Sequence, residues 1–167
     1  DILRAHTYEH LERIRAVAPA EGMEYLDSDT VMSPGTLEAA LRAVGAATAG
    51  VDAVFQGEAD NVFCAMRPPG HHAEADQGRG YCVFGNLVIA VRHAQHVYGL
   101  KRIAVVDWDV HHGNGTETAF LEDPSVLTIS IHQDRHYPVD RGQLSETGRG
   151  DGAHTNLNIP LPAGSGP

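Results

Sequence analysis

The chain has 167 residues, of which 42% are hydrophobic and 20% are charged, and this composition is ordinary for a soluble globular domain or part of one. Its 12 basic and 22 acidic residues give a formal net charge of −10, which argues against binding nucleic acid through its phosphates. The same charge is compatible with a cationic substrate such as a lysine-bearing peptide or a polyamine, although surface solubility explains it equally well.

The two cysteines, Cys64 and Cys82, are too few for a disulfide framework and lack the Cys-x-x-Cys spacing of redox and metal motifs. No apolar run approaches the length of a membrane span, and the amino terminus lacks a basic-then-apolar signal. The sequence therefore predicts a cytoplasmic protein without a membrane segment.

Apolar residues at helical spacing predict an amphipathic helix within residues 1–17, before Pro19. Ser33 and Pro34 predict the start of a second helix, and Gly50 predicts its end. Between these helices, Asp27, Ser28 and Asp29 are typical of a turn.

The apolar segment Asn61–Met66 predicts a short strand. Two prolines and a glycine follow it, which predicts a rigid turn immediately before His71 and His72. A glycine-rich loop over residues 77–85 presents aromatic groups, and Asn86 is expected to cap a largely buried helix that stops at Gly99.

The segment that organises the chain is Ile103–Thr116, in which a β-branched run leads into Asp107, Asp109 and His111. The run predicts a buried parallel strand, and alternate residues of an extended segment share a face. Carboxylate and imidazole are ligands that suit zinc. Capping of the next helix is an equal alternative for the bare motif. The adjacent His112 and the glycines favour half of a metal site.

Two further apolar segments, over residues 126–131 and 156–161, predict strands after a short helix over 116–121. Strands that alternate with helices indicate an α/β domain with a mainly parallel sheet. Ligands of such sheets bind at the carboxyl ends of the strands.

Five motifs, taken together, resemble the histone deacetylase family, and in particular its bacterial, class II-like histone deacetylase-like amidohydrolases. They are Arg67-Pro-Pro-Gly-His-His-Ala73, Gly80-Tyr-Cys-Val-Phe84, Asp107-Trp-Asp-Val-His-His-Gly-Asn-Gly115, Thr128-Ile-Ser-Ile-His132 and Asn156-Leu-Asn-Ile-Pro-Leu-Pro162. The resemblance implies the three-layer arginase/deacetylase-like α/β fold. We expect residues 1–167 to form a single, incomplete deacetylase-like domain that corresponds to the family's amino-terminal half.

Carried over residue by residue, the resemblance makes Asp109 and His111 two of the three zinc ligands. His72 matches the general base and His71 an electrostatic partner. Asp107 matches the carboxylate that orients the first histidine, and Asn114 occupies the position where class I relatives have an aspartate for the second.

The resemblance also assigns residues around the substrate. Tyr81 and Tyr137 match the walls of the acyl-lysine tunnel, and Asp29 matches a rim aspartate that holds the substrate backbone. The carbonyl groups of Asp107, Asp109 and His111, together with Ser130, match a structural potassium site.

The implied reaction is zinc-dependent hydrolysis of an acetylated amine, with water as nucleophile and a neutral histidine as general base. The substrate is an acetylated lysine, or alternatively an acetylated polyamine. Arginase-type enzymes share the fold but use two manganese ions held by additional aspartates, and the Asp-x-Asp-x-His-His spacing favours the single-zinc class.

Neither the family's third zinc ligand nor its oxyanion-stabilising tyrosine is found in the sequence. We therefore expect either a piece of a longer enzyme or a non-catalytic module that binds a metal or an acyl-lysine without turnover. Exposed sheet edges would allow pairing with another copy of the chain or with the missing half.

Overall fold

The structure is a computed structural model that describes residues 1–166. It contains two compact units, one comprising Asp1–Leu100 and the other beginning at Lys101, and each is described by itself. None of the helices over residues 1–166 is both long and apolar enough to cross a membrane.

The first unit is mainly helical. Its helices are α1 (Tyr8–Val17), α2 (Thr36–Phe55) and α3 (Asn86–Tyr98), and a 3-10 turn covers Ile2–Arg4. Two short antiparallel strands that the sequence did not predict, β1 (Glu24–Tyr25) and β2 (Val31–Met32), form a ladder between α1 and α2 along the chain. The core contains buried side chains from α1, β2, α2, α3 and the loop before α3, among them Ile14, Met32, Val44, Phe84 and Ile89.

The predicted ends of α2 were wrong at both sides. The capping residue is Gly35 with φ +86°, and the backbone N–H of Ser33 instead donates to Thr36 Oγ1 at 2.9 Å. The helix continues through Gly50, because one glycine costs only about 1 kcal/mol within a helix of good helix formers. A Cβ at Gly50 would lie 3.1 Å from Val62 Cγ1, so the glycine allows the chain to pass close to the helix.

The predicted strand at Asn61–Met66 is absent from the structure. The segment lies beside α2 instead, where Val62 approaches Gly50 and the Cys64 thiol donates to the Ala46 carbonyl at 3.5 Å. Val62 and Cys64 therefore contact a helix and not a neighbouring strand, whereas Phe63 is exposed. Periodicity alone does not distinguish a helix-packed segment from a strand.

The predicted capping of α3 was half right. Gly99 ends the helix with φ +67°, as expected for a left-handed cap. Gly85 is the residue before the helix, and Asn86 does not cap it; its Nδ2 donates to the Pro68 carbonyl at 3.1 Å. Asn86 thus attaches the proline turn to the start of α3.

The second unit contains a parallel sheet in the order β3 (Ile103–Asp107), β4 (Val126–Gln133), β5 (Asn156–Leu161), which confirms the predicted strand direction. Helix α4 (Asn114–Phe120) and a 3-10 turn at Gly150–Gly152 complete it. The prediction that β3 is buried was wrong, because only Val105 of its five residues is buried and β4, not β3, is the middle strand of this sheet.

The two faces of this sheet differ in polarity. One face buries polar side chains of β4 and β5, namely Thr128, Ser130, His132, Asn156 and Asn158. The alternate positions are apolar except for Gln133 at the end of β4, and Val106, Leu127 and Leu157 among them are exposed. Burial of polar groups requires hydrogen-bond partners, so the buried face is where a site is expected.

Candidate active site

The chain forms two side-chain-to-backbone turns immediately after β3. Asp107 Oδ1 accepts the backbone N–H of Asp109 at 3.1 Å, and Asp109 Oδ1 accepts the backbone N–H of His111 at 2.7 Å. These turns are typical of aspartate and fix the course of the segment. They place His111 Nδ1 3.0 Å from Asp109 Oδ1, so two of the predicted metal ligands lie side by side.

The donor types and their spacing suit zinc. Two ligand atoms about 2.0–2.1 Å from a tetrahedral zinc ion lie about 3.3 Å apart, close to the separation of Asp109 Oδ1 and His111 Nδ1. Among residues 1–166, no group of three or more His, Cys, Asp or Glu side chains is arranged so that it could hold a metal ion. The pair therefore supplies two ligands, fewer than the three protein ligands of a catalytic zinc site.

The predicted catalytic histidines lie in the first unit, on the turn between Gly70 and Ala73. Their rings are 3.9 Å apart between centroids, and His72 is buried while His71 is half-buried. A Cβ at Gly70 would lie 2.6 Å from the backbone nitrogen of Asn86, so the glycine lets this turn approach the start of α3.

Two of the predicted substrate residues, Asp29 and Tyr81, lie close together in the first unit. Asp29 Oδ1 accepts the backbone N–H of Gly80 at 3.2 Å, next to the exposed Tyr81. Although partial burial acts to raise it, the pKa of the neighbouring Asp27 is lowered by hydrogen bonds from the backbone of Asp29 and Thr30. Asp29, the predicted rim residue, therefore lies in a loop that forms the hydrogen bonds expected of an aspartate turn.

The second unit brings Tyr137 near a predicted metal ligand. Its ring lies 6.2 Å from that of His111 between centroids, edge to face, and the ring of His136 lies 4.8 Å from His111. Asn114 is fully buried as the first residue of α4, and its backbone N–H donates to the His112 carbonyl.

Two of the four residues predicted to bind potassium, Asp107 and Ser130, lie on adjacent strands. Asp107 and Ser130 are paired in the register of β3 and β4. The Ser130 hydroxyl accepts the backbone N–H of Gly113 at 3.4 Å and lies 2.9 Å from His132 Nδ1. Potassium binding at these residues stays a prediction.

Sequence reasoning missed a buried carboxylate in the second unit. Glu117 Oε2 lies 3.0 Å from His112 Nε2 and accepts the side-chain amides of Asn156 at 2.6 Å and Asn158 at 2.8 Å. Burial raises the pKa of Glu117, but the hydrogen bonds from His112, Asn158 and Asn156 outweigh it and hold the pKa below the ordinary value.

A signal for this cluster exists in the sequence. Glu117 follows the paired histidines by five residues, and Asn156 and Asn158 alternate along a predicted strand. A polar face on an otherwise apolar strand indicates a buried hydrogen-bond network. The identity of its central group depends on α4 lying over that face, which the pattern does not specify.

The family model of the histone deacetylase domain matches residues 1–167 of this chain. The histone deacetylase-like amidohydrolase of Pseudomonas aeruginosa is 43% identical over 99% of this chain. The polyamine deacetylase HDAC10 of Rattus norvegicus is 45% identical over 76% of the chain. The crystal structure of the HDA15 HD domain is 35% identical and superposes with a TM-score of 0.90 over 95% of the chain.

The chain spans 43% of the Pseudomonas protein, 22% of the rat protein and 46% of the crystallised HDA15 chain. The structural match confirms the predicted deacetylase-like α/β fold, and the family match confirms the resemblance carried by the five motifs. The Pseudomonas relative is named an amidohydrolase, and a relative from Archaeoglobus fulgidus that is 40% identical over 99% of the chain is named a probable deacetylase. The chain belongs to the histone deacetylase family.

Proposed function

We propose that this chain is part of a zinc-dependent amidohydrolase that removes acetyl groups from acetylated amines. In this proposal, residues 1–167 belong to one deacetylase domain whose remaining part supplies the third zinc ligand and the oxyanion-stabilising group. The proposed activity, substrate and cytoplasmic location are those of the whole protein.

The observation that carries the proposal is the Asp109–His111 pair. Its two ligand atoms lie 3.0 Å apart, held by backbone turns that follow β3. A carboxylate held this close to an imidazole also suits a simple ion pair. The family membership of the chain favours the metal-binding interpretation. Zinc held there would act as a Lewis acid on the acetyl carbonyl and the attacking water.

The tandem histidines supply the acid–base chemistry in this proposal. His72 takes a proton from the attacking water at an imidazole nitrogen and later returns it to the leaving amine. The ring of His71 lies 3.9 Å away between centroids and is proposed to act as the electrostatic partner of His72. Orientation of the two rings by Asp107 and Asn114 stays a prediction.

Two substrate classes fit the proposal. The match to a protein named polyamine deacetylase favours an acetylated polyamine. The match to a histone deacetylase-like amidohydrolase favours an acetylated lysine. Tyr81 and Tyr137 are proposed to line the acyl tunnel in either case, and Asp29 to hold the substrate at its rim.

The experiment measures zinc per chain by elemental analysis of the full-length gene product and the rates of hydrolysis of an acetyl-lysine peptide and N-acetylspermidine. We expect one zinc per chain and chelator-sensitive turnover. Asp109→Asn and His111→Ala should lose zinc and activity together. His72→Ala should keep zinc and lose at least about 100-fold in kcat, the contribution typical of a general base.

The matched control is His96→Ala, which removes an exposed histidine of α3. It should change neither zinc content nor rate. Full activity after complete zinc removal, or equal losses in the His96 and His72 variants, would contradict the proposal. The ratio of the two substrate rates decides between the substrate classes.

A further inference from the structure

The loop that contains Tyr81 adopts an unusual backbone conformation. The Cys82 N–H donates to the Arg79 carbonyl at 2.9 Å, and the two central residues, Gly80 and Tyr81, have φ of +56° and +64°. Two positive φ values in succession are typical of a type I′ turn, which favours glycine or asparagine at both positions. A tyrosine at the second position needs support from its surroundings.

Thr30 provides that support. Its side chain is buried, and its hydroxyl accepts the backbone N–H of Tyr81 at 3.0 Å. The same hydroxyl donates to Asp29 Oδ1 at 3.0 Å, and this oxygen also accepts the backbone N–H of Gly80. Consecutive side chains of one loop therefore hold the two central peptide groups of another.

The loop that carries Thr30 is itself fixed. Asp27 Oδ1 accepts the backbone N–H groups of Asp29 at 3.1 Å and Thr30 at 2.7 Å, and the Leu26 N–H donates to the Thr30 carbonyl. Thr30 is thus hydrogen-bonded through its backbone and its hydroxyl, so the hydroxyl has a defined position from which to hold the turn.

The Arg79–Cys82 turn also contacts His72, the predicted general base. A Cβ at Gly80 would lie 2.4 Å from His72 Cδ2, so the backbone of the turn lies directly against the imidazole. The backbone N–H of His72 also donates to Cys82 Sγ at 3.5 Å. A shift of the turn would therefore move both the Tyr81 side chain and the surface against which the His72 ring rests.

We infer that Thr30 is a positioning residue: its hydroxyl holds the Arg79–Cys82 turn in the conformation that presents Tyr81 and supports the His72 ring. Thr30 does not touch the reacting atoms and acts through these two residues. This inference rests on the proposed function, because the effect on catalysis requires that His72 and Tyr81 face the substrate.

The test compares Thr30→Val, which keeps the shape of the side chain and removes both hydroxyl bonds, with Thr30→Ser, which keeps the hydroxyl. Thr48→Val is the matched control, because the buried hydroxyl of Thr48 donates to carbonyls of its own helix. Amide hydrogen exchange at residues 79–82 and the kinetics of acetyl and longer acyl substrates are measured on the full-length gene product.

We expect Thr30→Val to accelerate exchange of the Tyr81 amide at least tenfold, to lower kcat at least tenfold and to change the preference between acyl chains. Thr30→Ser should restore both readouts, and Thr48→Val should leave both unchanged. Unchanged exchange in Thr30→Val, or equal kinetic losses in the Thr30 and Thr48 valine variants, would overturn the inference.

The two arms separate this inference from the proposed function. A full-length protein without hydrolase activity would overturn the proposed function, and with it the catalytic part of the inference. The exchange arm would still decide whether the Thr30 hydroxyl holds the turn. Normal hydrolysis in Thr30→Val with accelerated exchange would overturn the positioning role alone.

Discussion

Each unit of the protein buries a pair of histidines, and the two pairs are stabilised differently. The rings of His6 and His10 are 5.0 Å apart in the first unit, and those of His112 and His132 are 4.8 Å apart in the second. In the second pair, His112 is hydrogen-bonded to the carboxylate of Glu117.

The first pair avoids charge. His6 Nε2 accepts the backbone N–H of Gly85 at 2.8 Å, which requires a neutral nitrogen, and His10 Nε2 donates to the Val83 carbonyl at 2.9 Å. Burial, with a smaller contribution from His10, lowers the pKa of His6 to about 4. Burial also lowers the pKa of His10. Phe84 packs edge-on against both rings.

The second pair lies in a network that contains charge. Glu117 bonds to His112 and to two asparagine side chains, while His132 Nε2 donates to the Gly142 carbonyl at 2.9 Å. The difference teaches that an imidazole can be buried either by remaining neutral or by bonding to a compensated carboxylate. The second solution depends on every member of the network.

The largest effect that separates the pairs is expected from Glu117→Ala. It removes the carboxylate and leaves the side-chain donors of Asn156 and Asn158 without that acceptor, so we expect the free energy of unfolding to fall by about 3–5 kcal/mol in urea titrations. Glu122→Ala is the control, because Glu122 forms an exposed ion pair with Arg149 and should cost under about 1 kcal/mol. Equal losses would show that the network carries no special stability.

The next effect is the acid sensitivity of the first pair. The unfolded chain binds a proton on His6 near pH 6.5, whereas the folded chain does so only near pH 4, so acidification through this interval favours unfolding. His6 alone should remove about 3 kcal/mol of stability across it.

Unfolding titrations between pH 7.5 and pH 4 check this expectation. His6→Gln can still accept the Gly85 N–H but cannot take up the proton, so its stability should depend less on pH than that of the wild type. His96→Gln, at an exposed position, should follow the wild-type profile. A parallel course for all three proteins would contradict the assignment to His6.

The smallest effect concerns the backbone beside each pair. Gly142 has φ +82°, and a Cβ there would lie 2.5 Å from His132 Nε2 and 2.8 Å from His112 Cγ. Gly142→Ala should therefore cost about 2 kcal/mol in thermal or urea unfolding. Gly85→Ala meets only ordinary contacts from 3.5 Å and should be nearly neutral. A larger loss of stability in Gly85→Ala than in Gly142→Ala would show that the second histidine pair tolerates displacement.

Local patterns predicted much of the second unit. The parallel β5 has the predicted bounds, β4 extends only two residues beyond its predicted end, and the Asp-x-Asp-x-His segment brings two ligand types together. These features depend on interactions between residues close in sequence, which motif and periodicity describe. The predicted start of α2 was wrong because Ser33 and Gly35 both suit the position before a helix. The structure has Gly35 as the capping residue.

The sequence by itself determined the family, the strand segments of the parallel sheet and the residues proposed for zinc and acid–base chemistry. The tertiary structure decided that Asn61–Met66 lies beside a helix, that Glu117 joins the two asparagines of β5, and that Thr30 holds the Tyr81 turn. These contacts link residues from 12 to 51 positions apart, and which of many polar groups become partners depends on how helices and loops pack.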